Sequence, residues 1–239
     1  MTKIGHIAWR ELRSYFTSWM AYALIAGWLF IAGLSFFVAV QLGQASGNFQ
    51  FAIVFANLIV SFLLIAPLIT MRLLAEERNG GTMEMLFTSP ISEWQVTLGK
   101  FLGAWIFTGC MMLCTAHLPF FATHYGSIDS GPIWGSYLAL LCMSAAFVAF
   151  GIFCSSLTDS QVVAGFLTFG GLLISWMAGW LNQPGASATV SFITQWSIFT
   201  HFSQMLQGAI DTRDLVFFAS FTLLFLFATV RVLESRQWR

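Results

Sequence analysis

Charge is what this chain has least of. Of its 239 residues 8% are Asp, Glu, Lys or Arg, against about 25% in an ordinary soluble domain. So few charges cannot cover a water-facing surface. The uncharged stretches 14–71, 101–128, 130–158 and 160–210 each exceed the ~20 residues needed to cross a bilayer. The chain therefore reads as an integral membrane protein. Lysine occurs only at Lys3 and Lys100. A phosphate-binding loop needs G-x-x-x-x-G-K-[ST]. Gly99-Lys100 is followed by Phe101, with no glycine at the earlier required place, so ATP hydrolysis in this chain is excluded. The four cysteines, Cys110, Cys114, Cys142 and Cys154, fall in or at the edge of apolar runs, which argues against a disulfide framework. No Ser/His/Asp or Cys/His arrangement has supporting context, and no basic patch suits nucleic acid. No cleavable leader is expected, because the first apolar run starts only near Trp19 and outlasts a signal h-region.

Apolar residues make up 58% of the chain and aromatic residues 17%. Six spans are expected, at roughly 19–40, 51–71, 100–121, 133–153, 162–181 and 215–233. Their interiors carry almost no ionisable residue, which disfavours an ion-coupled transporter. With six crossings, nine of the ten basic residues lie on one side, and Arg213 is the exception. The positive-inside rule makes that side cytoplasmic and puts both termini there. The expected fold class is an all-α membrane protein, a single domain over 1–239. An amphipathic helix over 1–18 is expected in the membrane interface, with Ile4, Ile7, Ala8, Leu12, Tyr15, Phe16 and Trp19 on its apolar side and Lys3, Arg10, Glu11 and Arg13 mostly opposite. The stretch 182–214 is too polar for a span and too apolar for a free loop. It reads as short helices dipping into the outer leaflet.

Five charged residues gather within 71–90. Arg72 and Glu76 stand four apart, facing each other if the second span continues as helix. Asn79-Gly80-Gly81 is a helix stop. Thr82 suits the N-cap of a short amphipathic helix with Glu84 in its first turn, and Ser89-Pro90 ends it. Ser92 and Gln95 fit a capping box. A plain connection rarely needs so much cap and turn chemistry.

These residues carry a resemblance. Glu76-Glu77-Arg78, Gly81-Thr82, Glu84, Leu86, Ser89-Pro90 and Gly99-Lys100 resemble the signature of type-2 ABC transporter permeases. Ser155-Ser156-Leu157-Thr158 with Gln161 and Ala164 is similar to the same family. So is Thr200-His201-Phe202 with Gly208, Ile210-Asp211 and Asp214. The chain looks most like the short six-span permeases of gliding-motility-type exporters. The resemblance implies a permease subunit of an exporter in the prokaryotic inner membrane. It further implies a second permease chain, identical or not, cytoplasmic ATPase subunits that bind ATP and Mg, and room for a periplasmic accessory protein. It makes 72–98 the coupling segment, with Glu76, Glu77, Arg78, Gly81, Thr82 and Glu84 in the ATPase contact and Thr158 and Gln161 in a second one. It makes His201, Phe202, Gly208 and Asp211 part of the outer re-entrant region. The competing reading is a non-transporting membrane anchor or assembly factor.

Several constellations stay bland. Cys110, Cys114 and His117 recur at one helical face, a soft set that suits Cu(I). Packing is the preferred reading and no metal is assigned. His201 is expected to hydrogen-bond a neighbour, and Asp211, Arg213 and Asp214 to be solvated. The many phenylalanines read as packing or lipid-facing residues rather than as the wall of a substrate path.

Overall fold

A computed structural model describes residues 2–46, 51–81, 91–122, 130–181, 196–206 and 211–237. Every regular element among them is a helix. In chain order these are α1 (Thr2–Thr17), α2 (Trp19–Ser46), α3 (Ala52–Thr70), α4 (Ala75–Asn79) and α5 (Glu93–Cys114). After them come α6 (His117–Ala122), α7 (Ser130–Leu157), α8 (Gln161–Ala178), a 3-10 turn (Gly179–Leu181), α9 (Ile198–Leu206) and α10 (Thr212–Gln237). Six stretches are long and apolar enough to cross a membrane: Trp19–Ala45, Ala52–Asn79, Glu93–Ala122, Gly131–Leu157, Gln161–Leu181 and Thr212–Ser235. They coincide with the six expected spans and run a few residues further, since a helix stops where its backbone is capped and not where its hydrophobicity ends.

The caps show this. Ser92 stands just before α5, and its Oγ accepts from the Gln95 amide at 3.4 Å. Only half of the capping box forms, because Gln95 Oε1 is buried without a hydrogen-bond partner. At the end of α4, Gly81 takes φ +67°, the left-handed conformation that glycine reaches without steric cost. The third span breaks at Thr115-Ala116, between α5 and α6. Pro119 has no amide to give the Thr115 carbonyl, and the Tyr137 hydroxyl donates to that oxygen instead, at 3.0 Å.

Span four is central. Helix α7 packs against α3, α5, α8, α9 and α10. Phe62 and Phe147 stack at 5.8 Å between spans two and four. Trp28 of span one, fully buried, meets the edge of Phe62 at 5.9 Å.

Helix α1 uses its apolar face differently from the expectation. Ile7, Ala8 and Tyr15 are buried in the chain itself, with α1 lying along α5. Gly99 and Gly103 make the close approach possible. A Cβ on Gly99 would fall 2.6 Å from Ile7 Cγ2, and one on Gly103 would fall 2.7 Å from Glu11 Cβ. This is the small-xxx-small device of membrane helix pairs. Phe16 and Trp19, expected on the apolar stripe, are exposed. Glu11, expected on the polar side, faces inward. It lies four residues from both Ile7 and Tyr15, so a helix places all three on one face.

Candidate functional site

The charged segment between spans two and three is fastened at its base. Helix α3 ends at Thr70 and α4 starts at Ala75, so the backbone groups between them need partners. Ser155, near the end of α7, supplies them. Its Oγ accepts from the amides of Leu74 and Ala75 at 3.1 and 3.0 Å and donates to the Met71 carbonyl at 3.2 Å. Arg78 adds a second tie. Its Nη1 donates to the Ser156 carbonyl at 2.8 Å, and its guanidinium pairs with Asp159 in the turn between spans four and five.

On the other side stands Lys100, whose side chain is 2% exposed. Its Nζ lies 2.8 Å from Glu77 Oε1 and 2.9 Å from Glu11 Oε1. Arg10 lies 3.5 Å from Glu77 and 3.7 Å from Glu11. Two cations thus meet two carboxylates. Burying such charges is costly unless each is matched, and here each is. The cluster joins three elements, α1, α4 and α5. Because Glu77 lies near the start of the 72–98 segment and Lys100 just past its end, their bond ties the two ends together.

Arg72 does not pair with Glu76. It lies over the Tyr15 ring, 4.3 Å from its centroid, and Glu76 is exposed. The Glu76 amide still donates to the Arg72 carbonyl, at 3.4 Å, so the side chains part because the guanidinium is drawn onto the Tyr15 ring. Tyr15 donates to the Ile69 carbonyl at 2.8 Å and stacks on Phe107 at 4.7 Å. Burial pushes its phenol above the ordinary tyrosine range, against a lowering by Arg72. Tyr15 therefore stays a hydrogen-bond donor.

Of the residues carried over for coupling, Glu77 and Arg78 are brought into the base. Gly81 is exposed at the positive-φ turn and Glu76 faces outward. Thr158 accepts from the Ser160 amide at 3.2 Å, and half-buried Gln161 opens α8. Thr82 and Glu84 lie outside the described residues. Ser155 and Asp159 fall within the 155–161 turn of the expected second contact, whereas Lys100 and Glu11 were not singled out as site residues. Two signals pointed to them: one acid inside an apolar helical stripe, and a lone lysine at the mouth of a span.

The opposite end of the bundle holds one more polar pair. His201 Nδ1 lies 2.6 Å from Asp214 Oδ1, and its ring stacks on Phe217 at 4.0 Å. The expected neighbour of His201 is therefore Asp214. That residue is not solvated, with a side chain 1% exposed, because α9 covers the start of α10. Asp211 is exposed and accepts from the Arg213 amide at 3.0 Å, capping α10. Phe202 is buried, and Gly208 lies outside the described residues. The helical face expected of Cys110, Cys114 and His117 does not form, since α5 stops at Cys114. His117 Nδ1 sits instead 2.7 Å from the Cys114 carbonyl. Among the described residues no three His, Cys, Asp or Glu side chains gather as a metal would require.

None of this is a catalytic constellation. The charges are mutually compensated and hold helices together. A family model, ABC-2 family transporter protein, matches residues 37–233. The chain belongs to the ABC-2 transporter family. No curated protein matches it. Members of the ABC-2 family are membrane permease components of ABC transporters, not catalysts, and associate with an ATPase subunit. The matched range of this ABC-2 permease contains Glu77, Lys100 and Ser155 but not α1.

Proposed function

We propose that this permease is the membrane subunit of an exporter in the prokaryotic cytoplasmic membrane, driven by cytoplasmic ATPase subunits that press on its 72–98 segment. The observation that carries the reading is the closed base of that segment. Glu77–Lys100 ties it to α1 and α5, while Arg78 and Ser155 tie it to the end of span four. A push on residues beyond Gly81 then reaches spans two, three and four together. A loose connection would dissipate it.

The remaining roles follow. Glu76, Thr82 and Glu84 belong to the proposed contact with the ATPase, which binds ATP and Mg, and Thr158 and Gln161 offer a second contact. Nine of ten basic residues on one side support cytoplasmic termini. Spans one, five and six leave most of their most apolar windows unburied, with 28%, 28% and 22% buried. These walls offer room for a second permease chain. The 182–214 stretch, with His201, Phe202, Gly208 and Asp211, caps the outer end. A periplasmic accessory protein fits the same scheme, as does kinship with gliding-motility-type permeases.

Affinity purification of the tagged chain tests the reading. A P-loop ATPase in equal amount is expected, and a different stoichiometric partner would support an anchoring role instead. Gly81→Pro forces φ from +67° to about −65°. It should abolish the nucleotide-hydrolysis response of the complex while leaving membrane insertion intact. A normal response would refute the lever.

A further inference from the structure

We infer that the outward face of α1 is a docking surface for anionic phospholipid headgroups, a reading that rests on the proposed interfacial position of this helix. Seven residues are nearly two helical turns, so residues seven apart share a line along the helix. Three such lines run along the exposed side of α1: Lys3 with Arg10, His6 with Arg13, and Trp9 with Phe16. Adjacent lines are three residues apart, hence about 60° around the axis. The face therefore grades from cationic to aromatic.

The opposite face is already occupied. Ile7, Ala8 and Tyr15 are buried within the chain, and Glu11, the one carboxylate on α1, is turned onto Lys100. Of the outward cations Glu11 also meets Arg10, at 3.7 Å. Arg10 is shared with Glu77 at 3.5 Å. Arg13 is exposed and has no ion-pair partner among the described residues.

Position fixes the occupant. Only Ser18 separates α1 from α2, the first span, and Trp19 at that junction is 90% exposed. A helix so joined to a span meets the boundary of the bilayer. A helix wholly in water would have no use for Trp9 at 68% exposure, and one in hydrocarbon could not carry Arg13. Aromatic rings at the acyl boundary beside cations at phosphate depth are the composition of a headgroup-binding helix. Each cation near the surface strengthens attraction to anionic lipid. Because the same helix holds Glu11 on the coupling base, the charge of the leaflet would bear on that base.

The test uses the purified full chain in phosphatidylcholine bilayers containing spin-labelled phosphatidylglycerol or, separately, spin-labelled phosphatidylcholine. Electron paramagnetic resonance reads the motionally restricted fraction of each. The restricted shell should favour phosphatidylglycerol, and high salt should weaken the preference in the unaltered protein. Lys3→Gln with Arg13→Gln should cut it by about half. Equal association of the two lipids would overturn the inference. So would an unchanged preference in the double variant, whether or not that variant lost a co-purifying protein, since loss of a protein alone would make the face a protein contact. The measurement needs no ATPase, nucleotide or substrate, so it fails or succeeds independently of the exporter reading.

Discussion

The first and fourth spans have the same mean hydropathy, 2.3, yet 28% of the most apolar window of the first is buried within the chain and 67% of that of the fourth. Hydrophobicity cannot separate them, because lipid tails are as apolar as a neighbouring helix. Close approach and hydrogen bonding do. On α7, Ala139, Ala146 and Ala149 are fully buried. Trp105 Nε1 donates to Ser144 Oγ at 3.2 Å, and Gly151 lies against Thr70. On α2, Gly27 and Gly33 have nothing within 4 Å of where a Cβ would stand, and Phe30 and Phe37 are 66% and 59% exposed. Span four is held along its own wall. Span one is held along one narrow stripe, Ala21, Trp28, Ala32 and Ala39, and, through α1, at the charged cluster around Lys100.

The largest effect should therefore come from cutting that cluster. Lys100→Met leaves Glu11 and Glu77 facing each other with only Arg10 nearby. Losing one member of a buried ion pair costs about 3–5 kcal/mol. Thermal unfolding in detergent should show that loss. Adding Glu11→Gln and Glu77→Gln should restore most of it, since the one charge left, Arg10, is 60% exposed and solvated. An unchanged melting temperature in Lys100→Met would mean that span one is held elsewhere. Next in size is Gly151→Val. A Cβ there would fall 2.6 Å from Thr70 Cβ and 2.7 Å from Thr70 Cγ2, and a β-branched threonine in a helix has little rotamer freedom. Overpacking of this kind costs about 1–3 kcal/mol.

What the sequence makes legible is local. Six spans follow from hydropathy, and the Gly80-Gly81 stop and the Ser92 cap follow from turn chemistry acting over a few residues. The charged base of the 72–98 segment is not local. Lys100 and Glu11 are 89 positions apart, and nothing in either neighbourhood names the other. The failed expectations come from contacts that a local reading does not contain. Arg72 turns from Glu76 to the ring of Tyr15, which α1 brings in from 57 positions away. His117 leaves the line of Cys110 and Cys114 at the break associated with Pro119. Asp214 looked solvated because a span begins there, and only the tertiary placement of His201 buries it.

The smallest expected effect is the one that tests the comparison most directly. Gly27→Leu enlarges span one at a position with open space around it, so no side chain of the same chain has to move. Leucine is the better helix former, by less than about 1 kcal/mol. The stability of the single chain should thus stay within about 0.5 kcal/mol of the parent. A loss as large as that of Gly151→Val would show that the wall of span one is packed after all and would remove the contrast between the two spans. The oligomeric state sharpens the result. If the proposed second permease chain seats on this wall, Gly27→Leu shifts such a dimer toward monomer in light scattering with an unaltered melting temperature. If the dimer persists, span five or six carries the contact and span one faces lipid along its length.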